Sequence, residues 1–140
     1  RAAAEPCVLV ASASFWEGVD LPGDALQLLV IDKLPFAPPD DPLMQARGEQ
    51  LEAVGLSAFR DAFLPEAAMA LNQGAGRLIR SESDRGILVI GDRRVLTRSY
   101  GSAFLQALPD MRRLVDEAEL ETAIDALVLT RSSTKARPPT

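Results

Sequence analysis

Three stretches of the chain are almost unbroken runs of apolar side chains: Cys7 to Ser12, Leu26 to Leu34 and Gly86 to Gly91. Valine, isoleucine and leucine without a polar residue at every second position are the pattern of strands covered on both faces in a parallel sheet. Between these runs the period changes. Asp41-Pro42 sets a capping carboxylate before a first-turn proline, which predicts a helix that Gly55 ends. Pro65 opens a second helix, running to about Arg80, with Ala68, Leu71, Ala75, Leu78 and Ile79 on its buried side. A shorter helix is expected from Ser99 to Leu108, before Pro109. Beyond Asp116, Leu120, Ile124, Leu127 and Val128 recur at helical spacing and predict one amphipathic helix. Pro35 to Pro42 reads as a loop, because Pro38-Pro39 suits neither helix nor sheet.

Strands alternating with helices define an α/β domain with a mainly parallel sheet flanked by helices. The 140 residues suffice for one core and are too few for two ordinary domains. The expected division is one domain over residues 1–129 and a disordered basic tail over 130–140, where Ser132-Ser133-Thr134 and Pro138-Pro139 lie. Arg1 to Pro6 leads straight into the first apolar run, which suggests a cut upstream and a sheet incomplete at its N-terminal side. An unpaired edge left by that cut would dimerise or be covered by a partner. No internal repeat is present.

Composition then removes several chemistries. A chain that is 47% hydrophobic and 25% charged is globular in character, and no apolar run approaches the roughly 18 to 20 residues of a membrane span. No signal peptide is read, and the cysteine usage fits a reducing cytoplasm, the expected compartment. Without histidine, and with Cys7 alone, the chain cannot build a Ser-His-Asp or Cys-His nucleophile, an ordinary zinc site or a disulfide. Cys7 precedes Val8-Leu9-Val10 and reads as a buried core residue, not a redox group. The net charge of −5 argues against binding nucleic acid by bulk electrostatics. The charge is uneven: residues 1–70 hold 4 basic and 11 acidic side chains, and residues 71–140 hold 11 and 9. Phosphate contacts are therefore expected in the second half.

The strongest local signal lies there, in Gln73-Gly74-Ala75-Gly76-Arg77-Leu78-Ile79-Arg80. On a helix, Gln73, Arg77 and Arg80 share one face. Two planar, permanently charged guanidiniums suit phosphate oxygens and charge developing on a transferred phosphoryl group. Gly74 and Gly76 each cost a helix about 1 kcal/mol relative to alanine, which suggests a close backbone approach. The plain alternative is that arginines in a last turn complement the helix dipole. A second signal is Ser12-Ala13-Ser14-Phe15-Trp16-Glu17-Gly18-Val19-Asp20-Leu21-Pro22-Gly23, directly after an expected strand, where ligand contacts gather in open parallel sheets. Ser12 and Ser14 can hydrogen-bond phosphates, and Glu17 and Asp20 can orient basic groups or water. Alone, this segment reads as a serine-rich turn capping a short helix in preference to a ligand site.

Together and in this order, the two segments resemble motifs V and VI of superfamily-two DNA helicases, in the branch containing DinG, YoaA and XPD. Glu17, Gly18 and Asp20 meet the Glu-Gly-x-Asp pattern of motif V, and Gln73, Gly76, Arg77 and Arg80 meet the Gln-x-x-Gly-Arg-x-x-Arg pattern of motif VI. Lys33-Leu34-Pro35-Phe36, Pro39, Asp41-Pro42, Leu64-Pro65, Asp92-Arg93-Arg94, Tyr100-Gly101 and Ala107-Leu108-Pro109 extend the likeness to the bacterial type, over roughly residues 8 to 109. The resemblance implies a RecA-like second motor lobe that closes on a first lobe around ATP and Mg2+ and moves along single-stranded DNA. It implies Arg80 as the arginine finger with Arg77 beside it. Gln73 and Gly76 would stand at the nucleotide, Glu17, Gly18 and Asp20 would couple the ATP cleft to the DNA path, and Ser12 and Ser14 would touch the DNA backbone. Asp92 and Arg94 carry two readings, a functional pair or an intradomain ion pair. Trp16 reads as packing in the core in preference to stacking a base.

The chain also departs from the family. It has no Gly-x-x-x-x-Gly-Lys-Ser/Thr, so the lobe that grips ATP is absent, and an iron–sulfur cluster, where relatives have one, would belong to that lobe. Asp116-Glu117-Ala118-Glu119 imitates an acidic Walker B box, but it follows motif VI and opens a helix whose acidic first turn suits the dipole. Such a lobe is expected to be inactive alone and to bind no cofactor by itself. The competing reading is an interaction module whose C-terminal helix and tail dock a replication or repair protein.

Overall fold

The computed structural model describes residues 7–12, 26–79 and 84–134. Two of the three apolar runs become strands: β1, Leu28–Ile31, and β2, Ile87–Ile90. They pair in parallel, Leu28 opposite Ile87 and Ile31 opposite Ile90, and among the described residues they form a two-stranded sheet. A parallel pair needs a crossover. Here it contains α1, Pro42–Ala53, a π-helical turn, Phe59–Phe63, and α2, Leu64–Gly76. After β2 come α3, Arg94–Thr97, α4, Gly101–Ala107, and α5, Glu117–Thr134.

Local chemistry sets the ends of α1. The Asp41 carboxylate accepts from the amides of Leu43 and Met44 at 2.9 and 3.1 Å, ahead of the first-turn Pro42. At the other end Gly55 takes φ +82°, its amide donates to the Glu52 carbonyl, and the Leu56 amide reaches back to Leu51. This paired closure satisfies two helix-end carbonyls and requires a left-handed residue after the cap. The expected stop at Gly55 is met.

The core is Ile31, Leu34, Ala67, Ala68, Leu71, Val95 and Phe104, with Leu29, Leu88 and Ile90 packed on it from the sheet. Leu71 and Phe104 lose all solvent contact, contributing roughly 1.5–3 kcal/mol each by transfer from water. Small residues let elements approach closely. A Cβ on Gly101 would collide with the Val95 carbonyl, so glycine allows α4 to start against α3. Beside the core, Phe36 stacks with Phe59 at 5.9 Å and meets Phe104 and Tyr100 edge-on at 5.5 and 5.9 Å. The proline-rich loop expected from Pro35 to Pro42 is irregular, as predicted, but Phe36 anchors it.

Four expectations need correction. Residues 7–12 form no strand and are exposed, with Val8 and Val10 91% and 90% accessible and Cys7 at the surface. The described ladder pairs β1 only with β2, so this run has no strand partner in it and its side chains stay outside the core. Neither is β1 covered on both faces: Leu29 and Ile31 turn toward the helices, while Leu28 and Val30 are 49% and 60% exposed. The shorter helix starts at Gly101, not Ser99, because Arg94–Thr97 forms its own turn first. Finally, α5 continues to Thr134 and so includes the first residues of the expected tail. The helix begins where the acidic box was rejected, with the Asp116 carboxylate accepting from the Glu119 amide at 2.8 Å. There the acids serve as a helix start.

Candidate functional site

Two opposite ends of the sheet carry the polar chemistry. At the carboxyl ends of β1 and β2, the chain turns through Asp32-Lys33 and Gly91-Asp92-Arg93-Arg94, whose residues line an open cleft of about 420 Å3. Asp92 organises this rim. Its side chain, 8% exposed, accepts from the Leu34 amide at 2.9 Å, from the Arg94 amide at 3.0 Å and from the Arg94 guanidinium at 2.6 Å. The Arg94 hydrogen bond, helped by the two amides and by the charge, outweighs burial and holds the Asp92 carboxyl far below its usual range. The same bond raises Arg94 further above its ordinary value. Arg94 also lies over the Phe36 ring at 5.6 Å. Of the two readings given to Asp92 and Arg94, the intradomain ion pair is what forms. It ties the segment after β2 to the segment after β1.

At the amino ends of the strands lies the C-terminus of α2. Leu78 packs against Gly86, the residue before β2, so closely that a Cβ there would overlap the leucine side chain. Ala68, Leu71, Ala75 and Leu78 are buried as expected, and Ile79 is half-buried. Gln73 is exposed one turn before the half-buried Arg77. The helix is shorter than predicted, ending at Gly76 with Arg77 as its cap. The amides of Arg77 and Leu78 donate to the carbonyls of Gly74 and Ala75, bonds that tighten the last turn and close the helix behind two glycines. The three-residue face expected over Gln73, Arg77 and Arg80 therefore reduces to Gln73 and Arg77 on α2. Gly74 is buried, and no described atom lies within 4 Å of a Cβ built on Gly76.

Of the remaining candidates, Ser12 is exposed in the segment without strand structure. Ser14, Glu17, Gly18, Asp20 and Arg80, with Trp16, lie outside the described residues. Lys33 and Arg93 entered the sequence reading only within the segments Lys33-Leu34-Pro35-Phe36 and Asp92-Arg93-Arg94, with no role of their own, although each follows an apolar strand within three residues, the position where open sheets present ligand contacts. Among the described residues no group of three or more His, Cys, Asp or Glu side chains could hold a metal ion, and no helix is long and apolar enough to cross a membrane.

These features define a class: an α/β lobe on parallel strands, with guanidinium chemistry at a helix end and a pinned ion pair at the opposite rim. The model of the helicase C-terminal domain family matches residues 1–111, and the chain belongs to that family, in its DinG/YoaA-type superfamily-two branch. It is 53% identical over 109 residues to the ATP-dependent DNA helicase YoaA of Haemophilus influenzae, covering 78% of this chain and 17% of that protein. Against YoaA of Escherichia coli it is 53% identical over 111 residues, covering 79% and 18%. Against the ATP-dependent DNA helicase DinG of Photobacterium profundum it is 44% identical over 112 residues, covering 80% and 16%. The chain thus spans about a sixth of the length of these relatives.

Proposed function

We propose that this chain is the RecA-like second motor lobe of an ATP-dependent DNA helicase, supplying the arginine finger for hydrolysis and part of the single-stranded DNA path. The observation that carries the reading is the end of α2: its apolar side is locked into the core while Gln73 and Arg77, one turn apart, stand on the accessible side. A rigid helix end is a suitable mount for a group that must meet a phosphate at a fixed distance. Arg80, three residues on, is assigned by motif as the finger. The guanidiniums of Arg80 and Arg77 would neutralise charge spreading over the γ-phosphoryl oxygens as it leaves ADP, with Gln73 and Gly76 beside it. Glu17, Gly18 and Asp20 would link this cleft to the DNA, and Ser12 and Ser14 would donate hydrogen bonds to the phosphate oxygens of its backbone.

The described carboxylates do not gather into a metal site, and one cysteine cannot supply the four thiolates of an iron–sulfur cluster. The motor reading assigns Mg2+ and any cluster to the other lobe, which carries the ATP-gripping motif this chain lacks. A single lobe presents only one wall of the ATP cleft. The purified 140-residue chain should accordingly show no DNA-stimulated ATP turnover, measured by phosphate release, whereas the intact helicase that carries it should turn over. Robust hydrolysis by this chain alone, surviving removal of contaminants, would overturn the motor-half reading.

A further inference from the structure

The helicase model matches the chain as far as residue 111, and α5 lies beyond it. Among the described residues, α5 contributes no side chain to the core or to the layer packed on it. It is tied to the segment before it through Glu119, whose carboxylate accepts from the Arg112 guanidinium at 2.9 Å and from the Val115 amide at 3.0 Å. Five residues on, about 140° around the helix, Ile124 faces away from that tie and is 41% exposed. Val128, one turn further along the same stripe, is 59% exposed, and Leu120, one turn before Ile124, is half-buried. Apolar residues one turn apart form a ridge that can pack on another helix.

The stripe reads the same in both directions. Leu120 and Val128 stand four residues either side of Ile124, and Glu117 and Arg131 stand seven residues either side. Only the sign of the charge inverts: the acids of the helix, Glu117, Glu119, Glu121 and Asp125, all precede its basic residue, Arg131. We propose that α5 is a self-association surface whose occupant is a second copy of this chain, packed antiparallel about a twofold axis through Ile124. In that arrangement Leu120 lies on Val128 of the second copy and Glu117 meets Arg131 of the second copy, each contact being made twice, as a twofold interface requires. A parallel pair would set Glu117 on Glu117 and Arg131 on Arg131, so charge selects the antiparallel one. The seam from Glu117 to Arg131 is about 21 Å long, less than a standard permanent interface needs, and the dimer therefore exchanges with monomer at micromolar concentration. The surface is independent of the arginine finger and stands or falls apart from it.

The test uses the intact helicase carrying this chain, followed by sedimentation equilibrium across the micromolar range, where the parent should pass from monomer to dimer. On a twofold axis a residue meets itself. Ile124→Glu and Ile124→Lys should therefore each weaken association by at least about tenfold, because two isoleucines leave the seam and two like charges meet. An equimolar mixture of the two variants should associate at least about tenfold more tightly than either does alone, since opposite charges then meet on the axis. Leu129→Glu changes a residue that is also apolar and 68% exposed, but about 140° around the helix from Ile124, and should leave association unchanged. Because α5 lies outside the core, the melting temperature should hold in every variant. A parent that stays monomeric, a dimer indifferent to Ile124→Glu, or a mixture that fails to restore association would overturn the proposal. A lower melting temperature in both Ile124 variants would overturn it too, by showing that this face is covered by its own chain.

Discussion

Asp92 shows how one residue can be read too broadly from sequence. Its place beside two arginines fits a phosphate site or a structural pair, and only the amides of Leu34 and Arg94 closing on the carboxylate decide for the pair. With the folded pKa depressed, its contribution is fully present above the ordinary aspartate value near 3.9 and is lost as pH falls through the folded value. Asp92→Asn should therefore destabilise the chain by about 2 kcal/mol at pH 7, the lower part of the range because Arg94 is partly solvated. By pH 3 the gap in urea-unfolding free energy should narrow by about 1 kcal/mol, as the unfolded parent takes up its proton. A gap that stays constant from pH 7 to pH 3 would mean that the carboxylate charge is not what holds the two rim segments together. Gly101 is a further case: the sequence marks it only by resemblance, and its physical reason, the Val95 carbonyl behind its missing side chain, exists only in three dimensions.

At the scale of elements, what could be read was what is decided locally. Asp41, Pro42 and Gly55 set the ends of α1 through contacts within a few residues, and the buried stripe Ala68, Leu71, Ala75 and Leu78 follows from helical period alone. What depends on distant partners could not be read. An unbroken apolar run does not say whether a ladder will accept it, so Leu28–Ile31 and Ile87–Ile90 became strands while Cys7 to Ser12 did not. The end of α2 was misplaced because helical period continues past the point where shorter-range bonds close the helix. Gly76 at that end provides a clean separation of stability from function. With no described atom near its Cβ position, Gly76→Ala should leave the fold intact or stabilise it by up to about 1 kcal/mol. In the intact helicase the same substitution should slow DNA-stimulated hydrolysis by at least tenfold if the backbone there must lie against the nucleotide. A drop of several degrees in melting temperature would show instead that Gly76 is required by the fold.

Among the described residues the polar chemistry divides between two edges of the two-stranded sheet: a helix end carrying Gln73 and Arg77, and a pinned rim carrying Lys33 and Arg93. On the proposed motor reading, such a division would let nucleotide and DNA phosphates be engaged separately, with their occupancies coupled through the core between them. The first edge was legible through its motif, whereas Lys33 and Arg93 at the second were marked only within the resemblance and without a role, because single cations after a strand carry no pattern of their own. In the intact helicase, Arg80→Ala should slow DNA-stimulated ATP hydrolysis by on the order of 10³-fold, while ATP and oligo(dT) binding change far less, because the finger acts on charge that develops in the transition state. Arg80→Lys should recover little, since one ammonium cannot reproduce the planar fork. Hydrolysis within about threefold of the parent in a folded Arg80→Ala enzyme would instead make this arginine a charge near a helix end, and would contradict the assignment of this lobe as the finger side of the ATPase site.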